Sequence, residues 1–198
     1  LLALTISFSM NAQMSDNSSG TSATGTNAVA MGKSTTASGS YSTATGYQTT
    51  ASHTASTAMG QSTTASAAFT TAIGYNATAS GDYSTAMGRY TTATGITSTA
   101  MGWSTTASDY SSTVIGQYNS SGSSATSASS FSTSAPAFVI GNGTASNAKS
   151  DAFKVMFNGD ATVSNDLTVS GDVVISSDAR LKSNIVSLGS TLPKLLQI

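Results

Sequence analysis

Cysteine is absent from the 198 residues, so neither a disulfide framework nor a thiolate metal site is available. Glutamate is absent too, and only 8% of residues are charged, with a net charge of −1. Disordered chains also lack bulky apolar residues, but they usually carry the high net charge that is missing here. Between residues 1 and 148 the only cations are Lys33 and Arg89, which excludes a nucleic-acid-binding surface. No apolar run reaches the roughly 20 residues that span a bilayer. The single histidine, His53, has no histidine or cysteine partner and reads as a surface substitution. The aspartates are scattered, without the glycine–aspartate nonapeptide of calcium-binding rolls. Neither a metal nor a cofactor is expected.

Ser, Thr, Ala and Gly dominate instead, and they are periodic. Gly32, Gly46, Gly60, Gly74, Gly88, Gly102 and Gly116 stand fourteen residues apart. Two positions before each is Ala30, Ala44, Ala58, Ala72, Ala86, Ala100 or Val114. Four positions after the first six glycines is Thr36, Thr50, Thr64, Thr78, Thr92 or Thr106. A fixed period of this kind marks a solenoid, whose units are each too small to bury a core alone.

Each unit reads as two short strands, one around Thr-Ala-Met and one around Thr-Ala-Ser/Thr. Strand alternation places Ala86 on one face and Thr85 and Met87 on the other. Glycine marks where φ becomes positive or where a neighbouring coil comes close. The density of β-branched residues and glycine excludes helix. Stacked at about 4.8 Å, seven coils make a rod on the order of 30 Å long. Two alanines per coil, helped by Met31, Met59, Ile73, Met87, Met101 and Ile115, give a thin core. At about 25 cal/mol per Å² such a roll is weakly stable alone, which favours an oligomer.

The unit STAMG-x-S-T-T-A-S, with its variants TAIG, TVIG and NAVAMG, resembles the head repeat of the YadA-like trimeric autotransporter adhesins. The resemblance implies a left-handed parallel β-roll that trimerises. The family's Val three before glycine is mostly Thr here, as at Thr57, Thr71, Thr85 and Thr99, so a more polar core is expected.

Outside the repeats, residues 1–12 (LLALTISFSMNA) resemble the end of a bacterial secretory signal, with Gln13 as the mature N-terminus. Residues 13–26 are a polar lead-in, 27–118 the repeats, and 119–136 a low-complexity linker or degenerate coil. Residues 137–176 carry larger apolar residues between Asn-Gly and Ser-Gly turns and read as a small neck of β-hairpins.

Residues 177–198 open with SDARLKSNI, which resembles the start of the self-cleaving intramolecular chaperone domain of phage endosialidase tailspikes and other trimeric fibres. The resemblance implies that Ser177 is the nucleophile, Lys182 its general base and Ser176–Ser177 the scissile bond. A serine hydroxyl needs a base to take its proton, and a desolvated lysine can be one. Read on spacing alone, the same residues are an ordinary helix N-cap and a solvated lysine. Only 22 residues follow the bond, so cleavage would belong to the complete protein; any enzymatic activity is a single turnover in cis.

The residue after each ladder glycine varies most: Lys33, Tyr47, Gln61, Tyr75, Arg89, Trp103 and Gln117. Tyr47, Tyr75 and Trp103 are alternate members, and either form a binding face or pack ring upon ring along the roll. The expected protein is therefore an all-β, trimeric, secreted fibre or adhesin displayed at a bacterial surface, with an extracellular or host ligand. Two alternatives are a phage or prophage tail fibre and a threonine-rich ice-binding solenoid.

Overall fold

The computed structural model describes residues 14–15 and 20–170. All regular structure among them is β. Five-residue strands recur every fourteen residues: β3 (Val29–Lys33), β5 (Thr43–Tyr47), β7 (Thr57–Gln61), β9 (Thr71–Tyr75), β11 (Thr85–Arg89), β13 (Thr99–Trp103) and β15 (Thr113–Gln117). Two-residue strands alternate with them: β2 (Ser22–Ala23), β4 (Thr36–Ala37), β6 (Thr50–Ala51), β8 (Thr64–Ala65), β10 (Thr78–Ala79), β12 (Thr92–Ala93) and β14 (Thr106–Ala107). The long strands form one parallel sheet, which β1 (Met14–Ser15) joins at β3, and the short strands form another. Each coil is thus one long strand, a turn, one short strand and a second turn. The register is the sequence period itself, with Gly88 opposite Gly74 and Gly102. The chain is a parallel β-solenoid of about seven coils, as its periodicity requires.

The interior holds only small side chains. The alanine column from Ala30 to Ala100, continued by Val114 and Val139, is fully buried and faces a second column from Ala37 to Ala107. Val114 and Val139 are the largest buried side chains. Two hydroxyl columns complete the core: Thr35, Thr49, Thr63, Thr91 and Thr105, and Ser42, Ser56, Thr70, Ser84, Ser98 and Ser112. The hydroxyls of the first column, and that of Ser42, make no hydrogen bond among the described residues. A buried polar group left unpaired costs about 1–3 kcal/mol, so this core is stabilised less than its burial alone would indicate.

The methionines do not help fill that core, contrary to the sequence expectation. Met31, Met59, Met87 and Met101 are exposed, and Ile73 and Ile115 are half-buried. They form a column on the outer face of the long-strand sheet, running Met59, Ile73, Met87, Met101, Ile115 in register. Thr57, Thr71, Thr85 and Thr99 share that face and are also half-buried. The polar character at these positions therefore belongs to the outside of the roll, and the roll's own polar core comes from the Thr35 and Ser42 columns.

Both turns of each coil hold a non-glycine residue in the left-handed region. One column is Asn27, Tyr41, Ala55, Phe69, Tyr83, Thr97 and Ser111; the other is Ser34, Gln48, Ser62, Asn76, Tyr90, Ser104 and Tyr118, all at φ 44–61°. Such a residue costs roughly 1–2 kcal/mol against its Cβ. What holds it is a hydrogen bond to the preceding coil. The Tyr90 N–H donates to the Tyr75 carbonyl at 2.8 Å, and the Tyr83 N–H to the Ala68 carbonyl at 2.9 Å.

Residues 119–135 contain no strand but are tied closely to the last coil. The Asn119 side chain stands where a further coil's peptide group would. Its Oδ1 accepts from the Thr106 N–H at 2.8 Å, and its Nδ2 donates to the Thr106 carbonyl at 2.9 Å and the Ser121 carbonyl at 2.7 Å. One amide thereby satisfies the open edge of the short-strand sheet, the kind of edge that otherwise pairs with another chain. Asp109, fully buried, pins the loop: its Oδ1 accepts from the N–H groups of Thr126 and Ser127 at 2.5 and 2.7 Å. Asp151 does the same for the N–H groups of Ser120 and Ser121 at 2.8 and 2.9 Å.

The next strand, β16 (Pro136–Asn142), pairs in parallel with β15 and repeats its register, Gly141 opposite Gly116. The long-strand sheet thus gains a ninth parallel member, counting β1, before the direction reverses. β17 (Asp151–Met156) and β18 (Ala161–Val163) then add antiparallel, the only antiparallel strand pairs among the described residues. Residues 1–12 and 171–198, which hold the expected signal segment, Ser176, Ser177 and Lys182, lie outside the described residues.

Candidate functional site

The three aromatic residues singled out in the sequence all lie at the ends of long strands, along one edge of the roll. The register runs Lys33, Tyr47, Gln61, Tyr75, Arg89, Trp103, Gln117. It does not bring the three together. Tyr47 is separated from Tyr75 by Gln61 and has Lys33 over its ring, 5.8 Å from the centroid. Tyr75 and Trp103 are drawn into one cluster by Arg89, which lies between them.

Arg89 is exposed, and its guanidinium carbon stands 5.9 Å from the Tyr75 ring centroid, 5.1 Å from that of Tyr90 and 5.3 Å from that of Trp103. Each is within cation–π range. Tyr90 meets Tyr75 edge to face at 5.3 Å, and Tyr118 meets Trp103 at 5.4 Å with the planes tilted by 53°. Hydrogen bonding between the two phenols is the main electrostatic effect in the cluster, holding Tyr75 above and Tyr90 below the usual tyrosine range. The Arg89 charge adds to the lowering at Tyr90 and opposes the rise at Tyr75.

Tyr90 and Tyr118 do not stand out in the sequence, yet they complete the cluster. Their recruitment follows from the turn. A left-handed residue donates its N–H to the carbonyl fifteen positions back, Tyr90 to Tyr75 and Tyr118 to Trp103, which places the two rings side by side. Aromatic residues at positions i and i+15 are the signal that finds them, and it has meaning only once the turn is known.

A second aromatic group lies in the other turn. Phe69 and Tyr83 stack with centroids 5.0 Å apart and planes 2° from parallel. Near the reversal at β17 there is a polar notch of about 280 Å³, lined by Ser120, Lys149, Asp151, Lys154, Thr162 and Ser164 among others. Its carboxylate already holds the loop amides. His53 is exposed, with its backbone N–H donated to Ser56 Oγ at 3.2 Å, and no group of three or more metal-ligating side chains occurs among the described residues.

The arrangement can bind by ring faces, by one guanidinium and by the outward methionine column. Comparison with known proteins agrees on the scaffold. The YadA head domain repeat (2 copies) matches residues 23–49, 37–63, 51–77, 65–91 and 93–119. No curated protein matches the chain.

Proposed function

Starting from the YadA head domain repeats at residues 23–91 and 93–119, we propose that this chain is the head and neck of a trimeric adhesin displayed at a bacterial surface. The observation that carries the trimer is the outward apolar column. Met59, Met87 and Met101 are 41%, 41% and 36% exposed on the outer sheet face, in register with Ile73 and Ile115. A monomer gains nothing from an apolar stripe in water, whereas three rolls facing one axis bury it. The roll's own interior, made of Ala, Ser and Thr, needs that contribution.

The full chain should therefore elute with three times its 19.7 kDa mass in light-scattering chromatography. Met87→Glu combined with Met101→Glu should run as a monomer, because six carboxylates would be buried around the axis without partners. A monomeric wild type, or a double variant that still forms trimers, would rule out this interface. Adhesion itself is read from the attachment of beads coated with the chain to host cells or extracellular matrix. Its face is the edge bearing Tyr47, Tyr75 and Trp103, which lies at the strand ends where the scaffold leaves side chains variable.

The C-terminal part of the proposal is maturation. SDARLKSNI supports a chaperone that assists trimer assembly and then cuts between Ser176 and Ser177. Ser177 Oγ would attack the Ser176 carbonyl carbon, passing its proton to Lys182, which then protonates the departing Ser177 nitrogen. Water hydrolyses the resulting Ser177 ester and so separates the two pieces. The complete protein should give two bands on a denaturing gel, and Ser177→Ala and Lys182→Ala one each. An intact single band from the wild type would end the self-cleavage reading.

A further inference from the structure

The cluster around Arg89 has a charge that the rest of the roll does not answer. The acidic side chains of the described repeats and their capping loop are engaged elsewhere. Asp82 accepts the Ala68 N–H at 3.0 Å in the opposite turn, Asp109 is buried in the capping loop, and Asp151 holds Ser120 and Ser121. The Arg89 guanidinium stands within reach of three aromatic rings, and Arg89 as a whole is exposed. Around it Tyr75, Tyr90 and Trp103 are 36%, 42% and 41% exposed. Flat apolar surface beside an unanswered fork of donors has two complements in one ligand. A carboxylate matches the fork in a planar, bidentate pair, and a saturated ring presents C–H groups to the aromatic surface.

We propose that the Tyr75–Arg89–Tyr90–Trp103 cluster binds an acidic saccharide, its sugar carboxylate paired with Arg89 and its pyranose rings lying along the aromatic residues. The spacing fits. Tyr75 and Trp103 are two coils apart, roughly 10 Å at the inter-strand repeat, which is the span of about two linked pyranoses. Lys33 beside Tyr47 offers one ring and a point charge, whereas Arg89 offers three rings and a planar fork. An acidic peptide offers the carboxylate without the stacked ring faces, and a sulfated sugar offers a tetrahedral anion that meets the planar fork less well. This inference rests on the adhesive reading of the edge and gives it a ligand class.

Trp103 is the only tryptophan in the chain, so the cluster carries its own reporter. Trigalacturonate titrated into the full chain should change Trp103 fluorescence saturably. Its fully methyl-esterified form, 6-O-sulfated galactotriose and a tetra-aspartate peptide should each bind about tenfold more weakly or worse, having lost the planar charge or the rings. Arg89→Gln should weaken trigalacturonate by about tenfold, and Arg89→Lys should recover only part of that. Circular dichroism confirms that each variant is folded, and the comparison among ligands needs no variant at all. Equal binding of the methyl ester, or tighter binding of the sulfated sugar or the peptide, would overturn the assignment. So would the absence of any saturable change. If coated beads still adhere to host surfaces in that case, the adhesive reading stands and only the ligand class falls.

Discussion

Gly74→Ala should unfold the centre of the roll. Gly74 lies in β9 at φ 125°, a conformation that L-residues rarely adopt. A Cβ there would also sit well under 3.0 Å from the Gly88 carbonyl oxygen of the next coil. Strain of about 1–3 kcal/mol for the backbone adds to about 1–3 kcal/mol for overpacking. Because the obstacle is backbone shared by two sheet neighbours, it cannot move aside as a side chain would. A loss of about 4 kcal/mol is a large part of the whole for a core of this kind, and chemical denaturation of the variant should show it. Gly159→Ala separates the two causes. Gly159 has φ 94° but nothing within 4 Å of its Cβ position, so it should lose only the strain, on the order of 1 kcal/mol. Equal losses at the two sites would mean that the close approach of coils is not what demands glycine in the ladder.

Asp109→Ala should release the capping loop. The change leaves the N–H groups of Thr126 and Ser127 without their acceptor and empties a fully buried site. Hydrogen bonds to a charged group contribute about 1.5–3 kcal/mol each and are not additive here, so a loss of about 3 kcal/mol is expected. It should appear as faster amide exchange at Thr126 and Ser127, and then at Ser108, whose N–H donates to the Gly122 carbonyl. Asp109→Asn should cost much less. It keeps the Oδ1 acceptor and replaces Oδ2, which is buried and makes no hydrogen bond among the described residues. If Ala and Asn are equally harmful, the carboxylate acts through its charge rather than as an acceptor for the two amides. With the cap open, the short-strand sheet presents an unpaired edge, so the Ala variant should also self-associate.

The sequence made the solenoid legible because a repeated register leaves a repeated residue. Alanine at every fourteenth position is what a stacked coil with no room inside must carry, and glycine beside it is what close coils require. Alternation also put Met87 opposite Ala86. What misled was hydrophobicity: methionine and isoleucine suggest a core, yet the space between the two sheets takes nothing larger than valine. The cap was illegible for a different reason. Asn119 replaces a peptide group with a side-chain amide, and no periodic pattern distinguishes that from any other asparagine in a serine-rich stretch.

The aromatic edge divides in the same way. The ladder from Lys33 to Gln117 stood out by its variability, and Tyr47, Tyr75 and Trp103 were visible as its alternate aromatic members. That Tyr47 stands apart, while Tyr75 and Trp103 join through Arg89 and gather Tyr90 and Tyr118, was decided by the turns. The sequence by itself determined the coil, its period and its strands, because these depend on contacts between equivalent positions of adjacent units. Which face is outside, how the last coil is closed and which rings meet Arg89 were settled only by the tertiary structure. Those contacts join non-equivalent positions, through left-handed turns and a side chain acting as backbone, and a period carries no record of them.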